Sequence, residues 1–366
     1  FICFFAKAYT KNPLSRADAP PYTGRMFLQQ GATQAMARIV LGIGSSHSPM
    51  LNSPAEDYAK HGAIDLSGRK LLDLDGRPVS YETLLARRGD SLARALGPDE
   101  LTRKAAACDA HIRHLADTID AAALDALIVI GDDQNEQYGE ENLPAILVYW
   151  GQTIANRPLT MPADAPPFWR HARSQYHEDE APREYPVAHE LGRHLIGSLM
   201  DEDFDVSTSR HLAKAHGEGH AFGFVHRRLM PARPIPMLPI SLNTYYPPNQ
   251  PRPRRCYELG RAIARAVDSW DTPARVGIVA SGGLSHFTVD EDLDHLVLRA
   301  CAEKDAAALA GIDPARLNSG SSEIRNWIAT AGAAEHLDFA WQAYEPCYRT
   351  PAGTGCGMAF AIWKQD

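Results

Sequence analysis

Six short apolar runs, each closed by a polar or glycine cluster, constrain this chain more than any other feature. They cover residues 39–43 before Gly-Ser-Ser-His, 126–130 before Gly-Asp-Asp-Gln, 145–149, 235–242 before Asn-Thr-Tyr-Tyr, 276–280 before Ser-Gly-Gly-Leu-Ser-His, and 358–363. Near-continuous apolar runs of this length suit strands buried on both faces. Between them, residues 101–123, 187–200, 256–268 and 293–310 repeat apolar positions at spacings of three and four, the pattern of amphipathic helices. Strands alternating with helices predict an α/β fold, with a central mixed sheet flanked by helices in a single large domain.

The polar clusters fall immediately after the strands. His47, Asp132 to Gln134, Asn243 to Tyr246 and His286 all occupy such positions. Open α/β sheets bind ligands beyond the strand carboxyl ends, so these loops are expected to share one site. Residues 52–97 read as a turn-rich insertion, either a cover for that site or a surface decoration. Residues 1–35 precede the first core strand and read as an N-terminal extension outside the fold. The domain is then 36–366, and no repeat or low-complexity tract divides it.

A formal net charge of −8 argues against nucleic acid or an anionic membrane as the main partner. Six cysteines without a CxxC pair fit free thiols in a reducing cytoplasm better than a disulfide framework. Neither a signal peptide nor an apolar run long enough for a membrane span is evident. A cytoplasmic location and a homodimer are the default expectations for such a chain.

Fifteen histidines are too many for each to carry chemistry. His111, His114, His171, His177, His189, His194, His211, His226 and His336 lie in helical or polar stretches and read as solvated or locally bonded. Three differ by context. His47 follows a strand and the small residues Gly44, Ser45 and Ser46, which let the backbone turn and aim the imidazole across the strand ends. His286 repeats that arrangement at the end of Ser281-Gly-Gly-Leu-Ser-His. His220 lies in His216-Gly-Glu-Gly-His, where backbone can approach a ligand closely. An imidazole in such a place suits a first-row metal ion, although a structural role fits each residue equally well.

Four separated blocks carry a resemblance. Ala37-Arg-Ile-Val-Leu-Gly-Ile-Gly-Ser-Ser-His-Ser-Pro opens the first strand. Asn243-Thr-Tyr-Tyr-Pro-Pro-Asn-Gln-Pro-Arg-Pro-Arg-Arg-Cys-Tyr-Glu-Leu-Gly forms a Pro-rich loop and the helix after it. Ser281-Gly-Gly-Leu-Ser-His and Ser319-Gly-Ser-Ser-Glu-Ile-Arg-Asn-Trp follow in order. Together they resemble the class III extradiol ring-cleavage dioxygenases. The resemblance implies an Fe(II) cofactor, O2 and a small dihydroxylated aromatic as substrates, with His47 and Glu323 as metal ligands. It implies His286 as the catalytic acid/base and His220 as a second active-site histidine.

One departure matters. Where the family's second histidine ligand is expected, this chain has Asp132-Asp-Gln, which puts Gln134 in the ligand position. The amide could ligate, hold a metal-bound water, or leave ligation to Asp133 or Glu136; His61 in the insertion is a further candidate. The substitution keeps open a different metal-dependent enzyme on the same scaffold, such as a C–C hydrolase or a non-ring-cleaving oxygenase. A metal-free binding module is a third reading. Arg254 or Arg255 could bind a carboxylate on the substrate ring, or lie on the surface.

Overall fold

The computed structural model describes residues 36–66 and 71–365. The expectation for residues 1–35 falls outside them. Among the described residues, nine strands form one sheet. They are β1 (Arg38–Ser45), β2 (Ala126–Asp132), β3 (Ile146–Tyr149), β4 (Ser207–Ser209), β5 (Met237–Leu242), β6 (Arg275–Ser281), β7 (His286–Thr288), β8 (Asp338–Tyr348) and β9 (Thr354–Lys364). The order is β7-β9-β1-β6-β2-β5-β3-β4, with β8 pairing along β9.

The centre of the sheet is parallel: β1 pairs with β6, β6 with β2, and β2 with β5. Antiparallel pairs flank it, β9 against β1 and β3 against β5. The sheet is therefore mixed. Because β6 lies between β1 and β2, the carboxyl ends of these three strands are neighbours. His47, Gln134 and the loop leading to His286 leave from those three ends.

Both faces are covered, which is why the runs are apolar without alternation. Ala126, Ile128 and Ile130 of β2, with Leu238 and Ile240 of β5, join the core beneath helices His189–Asp201, Pro253–Asp268, Glu291–Ala302 and Ile324–Ala333. Leu127, Val129 and Met237 face the opposite core, against helix Pro98–Ala121. In β1, Ile39 belongs to the first core and Leu41 to the second; a register shift between them accounts for the change of face. Helices Pro253–Asp268 and Ile324–Ala333 cross at reciprocal glycines. A Cβ on Gly260 would lie 1.9 Å from the Ala329 carbonyl, and one on Gly332 would lie 2.3 Å from the Tyr257 carbonyl.

Three parts of the chain depart from the sequence reading. The helical pattern over 293–310 is interrupted after Ala302, where Lys304 takes a positive φ of 55° before a short second helix, Ala306–Ala310. Strand β8 has half-exposed alternation and carries no continuous apolar run, so it was not evident among the buried strands. The segment 52–97 is more ordered than a turn-rich insertion. It holds helices Tyr58–Leu66 and Tyr81–Arg88 and a small hairpin, Leu71–Leu72 with Pro78–Val79. Tyr58, His61 and Asp65 are buried. Among the described residues no helix is long and apolar enough to cross a membrane.

Candidate active site

His47 follows the end of β1. Before it, the Ser46 hydroxyl accepts the Ala359 N–H at 2.9 Å, and the Ser46 N–H donates to the Ala359 carbonyl, fixing the turn on β9. The His47 Nδ1 lies 3.0 Å from the Ser281 Oγ. The Ser281 hydroxyl donates to the Ala221 carbonyl at 2.7 Å, so its oxygen is left to accept from the imidazole. The proton is therefore on Nδ1, and the Nε2 lone pair points inward. Such a relay is how proteins set the tautomer of a metal-binding histidine.

The Nε2 of His47 is buried, has no hydrogen-bond partner, and lies 3.2 Å from the Glu323 Oε2. Burial lowers the His47 pKa against the opposing pull of Glu323. A neutral imidazole aimed at a buried carboxylate is a donor set that a divalent cation satisfies.

Glu323 ends the short turn Ser319–Glu323, at the start of helix Ile324–Ala333. Two buried side chains hold that helix start. Arg325 donates to the Pro251, Thr244, Leu317 and Ser322 carbonyls, and the Trp327 indole donates to the Gly282 carbonyl. Glu323 Oε2 accepts the Gly283 N–H at 2.7 Å, and Oε1 lies 3.4 Å from the His286 Nε2. Burial opposes its charge, but His286 and His47 outweigh it and keep the carboxyl well below the usual range.

His286 presents one nitrogen to the site and anchors the other. Its Nδ1–H donates to the Leu284 carbonyl at 3.0 Å, leaving Nε2 for proton traffic toward the cavity. Burial disfavours the charged ring; Glu323 and Cys356 outweigh it and raise its pKa well above the usual value. Gly320 packs against this ring so closely that a Cβ there would lie 2.1 Å from the His286 Cδ2.

His220 begins helix His220–Phe224, with its ring centroid 4.7 Å from that of His47. Its Nδ1 lies 2.6 Å from Glu136 Oε2, which also accepts its backbone N–H at 2.9 Å. Burial works against its charge, but Glu136 raises its pKa to about 9. Glu136 in turn is held down to about 2: burial opposes this, and His220 and Arg173 overcome it. His220 is thus a held donor.

The structure brings His47, Gln134, His220, His286 and Glu323 to the wall of one cavity of about 150 Å³. That is the size of cavity that accepts a single benzene ring. Gln134 donates its amide N–H groups to Asp132 Oδ2 and Glu323 Oε1, both at 3.2 Å. Asp133 faces elsewhere: its carboxylate accepts the Gln137 and Tyr138 N–H groups and closes the turn. Glu136 is committed to His220 and Arg173. His61 lines the cavity with its Nε2 on the Ser53 hydroxyl at 2.8 Å, apart from the metal-like cluster.

Sequence reasoning missed several residues. Asp132 is fully buried, and a ligand atom of it lies within 4.8 Å of one from each of His47, His220 and Glu323. Its carboxyl is pushed up to about 8 by burial and then by Glu323. Ile64, Trp169, Phe287, Arg173 and Arg349 also line the cavity. Arg349 is clasped by Asp65 of the 52–97 segment through contacts of 2.7 and 2.8 Å, and His61 and Ile64 of that segment line the cavity.

Arg254 pairs with Glu258, and Arg255 donates to the Asp203 carbonyl, both exposed and outside the cavity lining, the surface alternative left open by the sequence. One expectation is corrected. His177 and His226 are buried and not solvated, His226 with its Nδ1 on Glu218 at 2.8 Å. Only tertiary packing brings Glu218 and Tyr185 around that ring.

A buried imidazole–carboxylate cluster at the strand ends of a mixed α/β sheet has the make-up of a metal-assisted enzyme site. Residues 174–352 match the family described as the catalytic LigB subunit of aromatic ring-opening dioxygenase. His220, His286, Glu323 and Arg349 lie inside that stretch; His47 and Gln134 lie outside it.

The chain is 37% identical over 99 residues to a gallate dioxygenase of Pseudomonas putida, covering 26% of this chain and 28% of that protein. It is 36% identical over 100 residues to a 2,3-dihydroxyphenylpropionate/2,3-dihydroxicinnamic acid 1,2-dioxygenase of Comamonas testosteroni, covering 27% of this chain and 30% of that protein. The aligned stretches are thus less than a third of either relative's length.

Proposed function

We propose that this protein is an Fe(II)-dependent dioxygenase that opens the ring of a small dihydroxylated aromatic in the extradiol manner, inserting both atoms of O2. The observation that carries this reading is the orphaned, buried Nε2 of His47, its tautomer set by Ser281, facing Glu323 beside a cavity of one-ring size. The dioxygenase relatives support it.

In this reading His47 and Glu323 hold the metal, and the third position falls at the end of β2, where Asp132 and Gln134 stand. Fe(II) supplies the one-electron chemistry that lets O2 react with an electron-rich ring. His286 handles the proton at Nε2, since its Nδ1–H is tied to the backbone. Against the effect of burial, Glu323 raises its pKa; with that carboxylate committed to a metal, the ring would be free to take a proton from a ring hydroxyl and return it later. His220, held by Glu136, donates a hydrogen bond toward the ring oxygens or O2. Ile64, Trp169 and Phe287 keep water from the ring and hold it in place.

The test is purification without oxygen, measurement of bound iron, and O2 uptake with a panel of catechols. A yellow ring-opened product that His286→Gln abolishes supports the proposal. Bound metal without O2 uptake on any dihydroxylated ring would favour a C–C hydrolase. That alternative draws on Gln134, a neutral amide where the family's histidine ligand is expected.

A further inference from the structure

We infer that Asp132, not Gln134, is the third metal ligand, giving a centre of one imidazole and two carboxylates bracketed by the Gln134 amide. This deepens the proposed function and rests on its reading that the site holds a divalent ion.

Asp132 is fully buried at the last position of β2, and its Oδ1 has no hydrogen-bond partner. A buried carboxylate oxygen without a donor costs several kcal/mol unless a proton or a cation satisfies it. The His47 Nε2 is the second orphaned atom of the same cluster, and ligand atoms from these two residues and Glu323 fall within 4.8 Å of one another.

Gln134 is placed to bracket rather than to ligate. Its near neighbours are the Asp132 Oδ2 and Glu323 Oε1, each 3.2 Å away. Carboxylate oxygens only accept, so the amide must turn its NH2 toward them, and its oxygen faces away. One NH2 group spanning two carboxylates orients both, which is the work of an outer partner of a metal site.

His220 belongs to the same cluster with its Nδ1–H and backbone N–H held by Glu136; it keeps the hydrogen-bond role of the proposed function, and a second imidazole on the ion would show otherwise. Asp133 and Glu136 are excluded because their oxygens already accept from the chain. Two carboxylates also neutralise a 2+ ion, which a His–Gln–Glu set would not. Such an oxygen-rich set favours the harder first-row ions, Mn(II) and Fe(II), over Zn(II).

The test uses the full chain stripped of metal and titrated with Mn2+, followed by calorimetry and electron paramagnetic resonance; no turnover is needed. The parent binds one Mn2+, and pulsed resonance detects one imidazole nitrogen. Gln134→Ala weakens binding by about 10–100-fold, as loss of an outer partner does, and keeps the stoichiometry. Asp132→Asn, checked for folding by circular dichroism, weakens binding further than Gln134→Ala. The inference is overturned if folded Asp132→Asn binds like the parent, if folded Gln134→Ala loses stoichiometric binding, or if two imidazoles appear. A parent that binds no Mn2+ defeats the metal reading itself. A protein that binds as expected but opens no ring defeats only the proposed reaction.

Discussion

Removing Arg349 should destabilise this protein more than any surface ion pair would. The Asp65 and Arg349 side chains are 0% and 7% exposed, and the pair is bidentate at 2.7 and 2.8 Å. In Arg349→Met the apolar stem is kept but the Asp65 carboxylate is left buried with its partner gone. Breaking a buried pair from one side costs about 3–5 kcal/mol, mostly through that uncompensated charge. In Asp65→Leu/Arg349→Met both charges are gone, so the double variant should recover most of the loss. The coupling from the full cycle is then expected to be about 2–4 kcal/mol, opposite in sense to additivity. Urea unfolding of the four proteins at pH 7, followed by circular dichroism, measures it. A cost below about 1 kcal/mol for Arg349→Met would place the pair with solvated surface bridges and refute the reasoning. Because Asp65 lies on the Tyr58–Leu66 helix, whose Ile64 and His61 line the cavity, the single variant should also raise KM.

Three further outcomes are expected. Gly320→Ala forces a Cβ into the space of the His286 ring, 2.1 Å from Cδ2, and should cut kcat by about 100-fold in an O2-uptake assay while the circular dichroism spectrum is kept. Ser281→Ala removes the acceptor that sets the His47 tautomer and should weaken metal binding by about 10–100-fold, read by calorimetry with Mn2+. Asp294, buried under Tyr344 and Ser285, has its carboxyl pushed up to about 6, first by burial. The folded state holds this proton more tightly than the unfolded chain, whose aspartates titrate near ~3.9. Its contribution, at most about 3 kcal/mol, is present below that pH and lost as pH rises through 6. Urea midpoints between pH 4 and 7.5 should fall on this account less steeply in Asp294→Asn; an unchanged slope would contradict it.

What the sequence determined by itself is the alternation of buried strands and helices, and with it the loops that carry the chemistry. A strand covered on both faces must be apolar at every position, so β1, β2, β5 and β6 were legible as runs, and His47, Gln134 and His286 as the residues just past them. Strand β8 was not legible, because it is an edge strand whose exposed face breaks the run. Glu323 was legible only through its resemblance block, since a carboxylate between a turn and a helix has no local signature.

Only the tertiary structure decided the strand order, which sets β6 between β1 and β2 and so brings three loop ends together. It also decided which carboxylate faces the site. Asp132, Asp133 and Glu136 are nearly adjacent in sequence, but a strand points successive side chains to opposite faces, and the turn after it spends the other two on its own N–H groups and on His220. The Asp65–Arg349 clasp joins residues 284 positions apart. Such a pairing depends on burial and distance in three dimensions, which a one-dimensional pattern does not encode.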